Sequence, residues 1–184
     1  MRNFAFRMIK KPVAVLLATM AMLFGVVVTP SLPAFAATLP PGVSIDHSIR
    51  PFAHTYDSRA QKARAVMRVA DSKIGTPYIW GHNEDRGQYG FDCSNFTAYV
   101  YHHALGYVFS GASQTQYHSV GIPIPKRDMR VGDLVIFEHG AHVGIYAGNG
   151  RMIQEGGGLG RVGFLPLSPG SYWYKHITVV KGMF

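Results

Sequence analysis

The chain is predicted to be an α+β domain, with helices in its first half and a mainly antiparallel sheet in its second. Two observations carry this. Apolar residues recur every three or four positions as far as Gly106, and from Leu134 onward short β-rich runs are separated by Gly and Asn. Strand and helix do not alternate as a parallel sheet would require. Composition allows a folded core: of 184 residues, 47% are hydrophobic and only 15% charged, which excludes a disordered tail or a coiled coil. The length is that of one ordinary domain, with no internal repeat or low-complexity tract.

The charge is unevenly placed. Lys and Arg number 18 against 10 Asp and Glu, a formal net charge of +8, yet Arg2, Arg7, Lys10 and Lys11 fall in the first eleven positions. An apolar run follows from Val13 to Val28, about 24 Å long as a helix, short of the roughly 30 Å hydrocarbon core. Ala34-Phe35-Ala36 then supplies a small-x-small cleavage signal. Residues 1–36 therefore read as a secretory signal peptide, leaving no stable membrane span once it is cleaved. The absence of a Cys near that junction argues against a lipid anchor. The remaining chain carries 14 basic and 10 acidic residues, a net +4, which gives little support for nucleic-acid binding. Its only Cys is Cys93, so no intramolecular disulfide forms and an exported free thiol calls for a reason.

Residues 37–57, with Pro40, Pro41, Gly42 and Pro51 and no apolar period, are expected to form an irregular leader or linker. From Ser58, the spacing of Ala63, Val66, Met67, Ala70 and Ile74 predicts an amphipathic helix stopped by Gly75. A polar loop over 76–90 carries Tyr78 and Trp80. Asp92 is an N-cap residue, and Phe96, Tyr99, Val100 and Ala104 predict a helix ending at Gly106, with Cys93 in its first turn. A shorter helix is expected within 112–120. Leu134–Phe137, Val143–Tyr146, Arg151–Gln154 and Ile177–Val180 are the strands, and Asn149-Gly150 marks a tight hairpin. A two-residue turn there sets Gln154 opposite Ile145. Gly156-Gly157-Gly158 reads as a flexible loop.

Cys93 is the candidate nucleophile. At a helix N-terminus, unpaired N–H groups and the macrodipole favour thiolate, and the expectation is a lowered pKa. The same N–H groups suit the oxyanion of a tetrahedral intermediate. Of nine His residues, His142 stands out because it opens a strand whose hairpin partner brings Gln154 near. The Gln154 amide oxygen could then accept from Nδ1–H and orient the ring. His139, His142 and the pair His102-His103 raise the question of a metal. With one Cys and no His-Glu-x-x-His helix, no metal site is predicted.

Gly75-Thr76-Pro77-Tyr78-Ile79-Trp80-Gly81, Phe91-Asp92-Cys93-Ser94, Gly132-Asp133-Leu134-Val135-Ile136-Phe137 and His142-Val143-Gly144-Ile145-Tyr146 together closely resemble the successive signatures of the NlpC-type (NlpC/p-sixty) cell-wall cysteine peptidases. The resemblance covers about 63–154. It implies a papain-like fold with 58–184 as the catalytic domain, Cys93 as nucleophile, His142 as general base and Gln154 as third polar residue. It further implies that Tyr78, Asp92, Ser94 and, less closely, Ser113 line the oxyanion or substrate site. Neither metal nor organic cofactor is implied. The expected partner is a peptidoglycan stem peptide, hydrolysed between γ-D-glutamate and the diamino acid, outside the cytoplasm. Three positions depart from the pattern: His82 and Asn95 replace Gly, and Gly111 stands where an Arg that recognises a substrate carboxylate often lies. A thiol amidase, deamidase or acyltransferase toxin on the same fold, or an inactive wall-binding module, remains open, as does the oligomeric state.

Overall fold

A computed structural model describes residues 38–184, which form one compact unit; the signal-peptide expectation lies outside the described residues. Residues 38–57 are mostly irregular but packed. Strand β1 (Ser44–Ile45) pairs antiparallel with β2 (Tyr107–Val108), and Leu39, Val43 and Ile45 rest on the core, where Ala53 is buried.

Helix α1 (Arg59–Asp71) begins at the reciprocal capping box of Ser58 and Gln61, which satisfies two of the donors a helix start leaves unpaired. Helix α2 (Cys93–Leu105) is capped by Asp92 and stopped by Gly106 in the left-handed conformation, φ 72°. A seven-residue α3 (Ser113–Ser119) follows.

The main sheet has six antiparallel strands. They are β3 (Ile122–Ile124), β4 (Leu134–Phe137), β5 (His142–Gly148), β6 (Arg151–Gln154), β7 (Gly163–Pro166) and β8 (Ile177–Gly182), in the spatial order β3-β8-β4-β5-β6-β7. The short α4 (Tyr172–Lys175) leads into β8. Strand β4 is buried at all four positions because both faces of the sheet are covered. On one side Leu134 and Ile136 join Val143, Ile145 and Ile153 beneath α1 and α2, through Val66, Val69, Phe96 and Val100. On the other, Val135 and Phe137 pack with Met152, Leu167 and Val180, and Trp173 of α4 closes over them.

The Asn149-Gly150 turn forms as expected, with both residues at positive φ (51° and 64°), and Gly148 pairs with Arg151. The register beyond it differs from the expectation. A bulge at Ala147 makes Tyr146 face Met152 and Gln154 face Gly144, one residue nearer to His142 than simple hairpin counting gives.

Candidate active site

Cys93 and His142 lie on the same cleft, of about 750 Å³, reached from the start of α2 and the start of β5. Tyr78, Asp92, Ser94 and Ser113 line it too. Gln154 is fully buried behind it. The structure thus brings Cys93, His142, Tyr78, Asp92, Ser94 and Ser113 to one cavity.

Asp92 builds the cysteine end. One carboxylate oxygen accepts from the Asn95 amide N–H at 2.8 Å and the Ser94 hydroxyl at 2.9 Å; the other accepts from the Asn95 side-chain amide at 2.8 Å and the Gly81 N–H at 2.9 Å. It therefore caps α2 and ties the Tyr78–Gly81 segment to that helix start. Gln116, fully buried, donates to the carbonyls of Ser94 (2.9 Å) and Ser110 (2.8 Å) and accepts from Thr97 (2.9 Å), which fixes α3 against the same turn.

The histidine end is set by the turn between β4 and β5. Glu138 and His139 both adopt positive φ (47° and 55°), a conformation costing of order 1–3 kcal/mol at a non-glycine residue. Bonds from Thr178 and Gln114 hold it: Thr178 Oγ1 accepts from the His139 N–H at 2.9 Å, and Gln114 Nε2 donates to the His139 carbonyl at 3.0 Å. The His142 ring then packs against Trp173, centroids 4.9 Å apart, and Phe137, at 5.8 Å. Its Nε2 is buried without a hydrogen-bond partner, as is the Oε1 of Gln154. Nε2 is thus the enclosed ring nitrogen, and the Gln154 Nε2 donates weakly to the Gly156 carbonyl at 3.4 Å.

Electrostatics overturn one expectation. Burial pushes the Cys93 thiol up to about 11, and the Asp92 carboxylate adds to this; N–H groups of Val143, Ser94 and Cys93 oppose it without prevailing. Burial also lowers His142 to about 4 against the opposing pull of the Gln154 amide. Desolvation disfavours whichever form is charged, so burial favours the neutral thiol and the neutral imidazole. The shift at Cys93 is opposite in direction to the one expected of a helix start.

Several contributors were not legible as such. The glycine run is a close-packed wall: a Cβ on Gly156 would come within 2.9 Å of the Tyr78 ring, and one on Gly157 within 2.4 Å of Gln154 Oε1. Glu155 is fully buried beside it with neither carboxyl oxygen paired, and burial raises it to about 8, helped by Asp92. The departures at 95 and 111 meet in space. A Cβ on Gly111 would lie 2.4 Å from Asn95 Oδ1 and 3.6 Å from the Arg86 guanidinium. Arg86 donates to Asn95 Oδ1 at 2.9 Å and to the Gly81 carbonyl at 3.2 Å, placing a cation on the cleft from a different part of the chain. His82 Nδ1 lies 3.0 Å from the Tyr89 carbonyl, within that same loop. Trp80, 81% exposed, stands at the cleft's edge.

Comparison with known proteins agrees with this architecture. The murein DD-endopeptidase MepH of Escherichia coli is 33% identical over 131 residues, 67% of this chain and 47% of that protein. The gamma-DL-glutamyl hydrolase of Bacillus subtilis is 37% identical over 94 residues, 48% of this chain and 22% of that protein. This chain thus spans less than half the length of either relative. The solved structure of the peptidoglycan hydrolase RipB from Mycobacterium tuberculosis superposes with a TM-score of 0.58 at 28% identity, covering 70% of this chain and 69% of that one. Its domain shares the papain-like α+β arrangement expected from the sequence. The profile of the NlpC/P60 family matches residues 75–182, and the chain belongs to that family.

Proposed function

We propose that this protein is an exported cysteine endopeptidase that hydrolyses amide bonds in peptidoglycan stem peptides. The observation that supports it most is the convergence of Cys93 and His142 on one cleft in a chain of this family. The relatives act on such polymers by their names, murein for one and peptidoglycan for another. No described helix is long and apolar enough to cross a membrane.

In the reaction, the neutral His142 takes the thiol proton as the sulfur attacks the carbonyl carbon. The backbone N–H of Cys93, with the Tyr78 hydroxyl, receives the developing oxyanion. The imidazolium passes its proton to the departing amine, and a water deprotonated by His142 then releases the acyl-enzyme. Gln154, wedged against Gly157, holds the imidazole from behind. Arg86 supplies the cation that a stem-peptide carboxylate requires, in place of a side chain at Gly111. The relatives' names differ in the bond they specify, DD in one and γ-DL-glutamyl in the other. The γ-D-glutamyl bond, with the free glutamate carboxylate near the scissile amide, suits a cleft that Arg86 and Cys93 both line.

Digestion of defined muropeptides followed by mass spectrometry tests this. The protein is expected to split the stem between γ-D-glutamate and the diamino acid, and Cys93→Ala to lose turnover while keeping its fold. A substrate left whole with only a one-unit mass gain would instead indicate a deamidase. Undiminished cleavage by Cys93→Ala would defeat the proposal.

A further inference from the structure

The last turn of α2 and the Glu84–Arg86 turn gather a second cluster, none of whose members lines the Cys93 cleft. His102 Nδ1 lies 2.9 Å from one carboxylate oxygen of Asp85, and His103 Nε2 lies 2.6 Å from the other. Ligand atoms of the three residues all fall within 4.8 Å of one another. Neighbouring residues of a helix point about 100° apart, and the two rings reach a common point only because Asp85 arrives between them from a separate segment. The second nitrogen of His102, Nε2, lies 2.9 Å from Asp46 Oδ2.

That ring has a problem to solve. A neutral imidazole carries one N–H and one lone pair. When Nε2–H donates to Asp46, the lone pair on Nδ1 faces a carboxylate oxygen at 2.9 Å, a contact that is relieved either by a second proton on the ring, which both carboxylates favour, or by a metal cation that takes both lone pairs as the groups spread slightly. We propose that Asp85, His102 and His103 bind a divalent first-row transition cation, zinc in the simplest case, with Asp46 orienting His102 from behind. Two imidazoles and one carboxylate are a donor set that zinc accepts, leaving a fourth position for water. A carboxylate hydrogen-bonded to the far nitrogen of a ligating His is the usual supporting arrangement. A cavity of about 280 Å³, bordered by Asp46, Asp85 and His102, has room for the water ligand. The cation would strut the 82–90 loop against α2. Because Arg86 follows Asp85, the strut would also set the position of the cation on the cleft.

The test uses the full chain carrying Cys93→Ala, which removes the thiol as a competing ligand. Calorimetric titration with Zn²⁺ is expected to show one equivalent bound, and Co²⁺ to give the visible absorption of a tetrahedral site. Both signals should vanish in Asp85→Asn and in His103→Gln, each checked for fold by circular dichroism, and persist in His142→Gln. No stoichiometric uptake overturns the proposal, as does uptake that survives Asp85→Asn and His103→Gln or that disappears with His142→Gln. Should those variants misfold, the parent's melting temperature decides. It is expected to rise with Zn²⁺ and return with a chelator. A melting temperature that follows pH through the imidazole range but ignores Zn²⁺ would mean that only a proton fills the gap, and overturns the proposal equally.

Discussion

Cys93 and His142 are shifted in opposite directions by the same cause. Each is nearly buried, at 7% and 9% exposure, so each resists becoming charged. With the thiol at about 11 and the imidazole at about 4, an ion pair is scarce in the resting protein, and proton transfer belongs to the attack itself. Alkylation of Cys93 by iodoacetamide should therefore keep accelerating as pH rises past about 8.5, the value of an ordinary thiol. A rate that is already level near neutrality would show a stable thiolate and contradict this account. The base stays neutral down to about 4, so the acid limb of kcat/KM should fall well below the ordinary imidazole range.

At the level of elements, pattern and chemistry agreed where an element carries its own signals. Ser58 and Gln61 cap α1, Asp92 and Gly106 bound α2, and β4, β5, β6 and β8 are apolar runs. Besides the two-residue β1 and β2, two strands of the main sheet escaped notice, β3 and β7; they contain Pro123 and Pro166 and lie at its two edges. A proline cannot donate to a ladder, so edges are where it is tolerated, and the same residue that protects an edge erases the strand pattern. Loop and helix also meet in the Asn95–Gly111 contact. Gly111→Ala should destabilise the fold by about 1–3 kcal/mol in denaturant unfolding, since its Cβ would sit against Asn95. Combining it with Asn95→Gly should restore much of that loss. Strict additivity in the double-mutant cycle would show that the two positions do not compensate.

For the whole molecule, Glu155 sets a pH dependence of stability. Its folded pKa of about 8 lies above the ordinary carboxyl value near 4.3, so the folded state holds a proton that the unfolded state releases between them. Its contribution is fully present below about 4.3 and is lost as pH rises through about 8, at no more than about 1.4 kcal/mol per pH unit. Glu155→Gln, which keeps the shape and removes the charge, should raise the melting temperature near pH 8 and change it little at pH 4. Equal effects at both values would place the cause elsewhere. His142 works in the other direction, since a folded pKa of about 4 makes stability fall as pH drops from about 6.5 toward 4.

The linear chain determined the helices that carry their own caps, the hairpin at Asn149-Gly150 and the nucleophile and base as candidates, because capping, turn chemistry and apolar period are local properties. Tertiary structure decided the rest. The bulge at Ala147 brought Gln154 one step closer to His142, and burial reversed the expected shift of Cys93. Arg86 came to lie beside Gly111, and Asp85 came between His102 and His103, from segments that no spacing rule connects. Solvation and long-range proximity exist only once the chain has closed on itself, and these are the properties that set charge state and site composition.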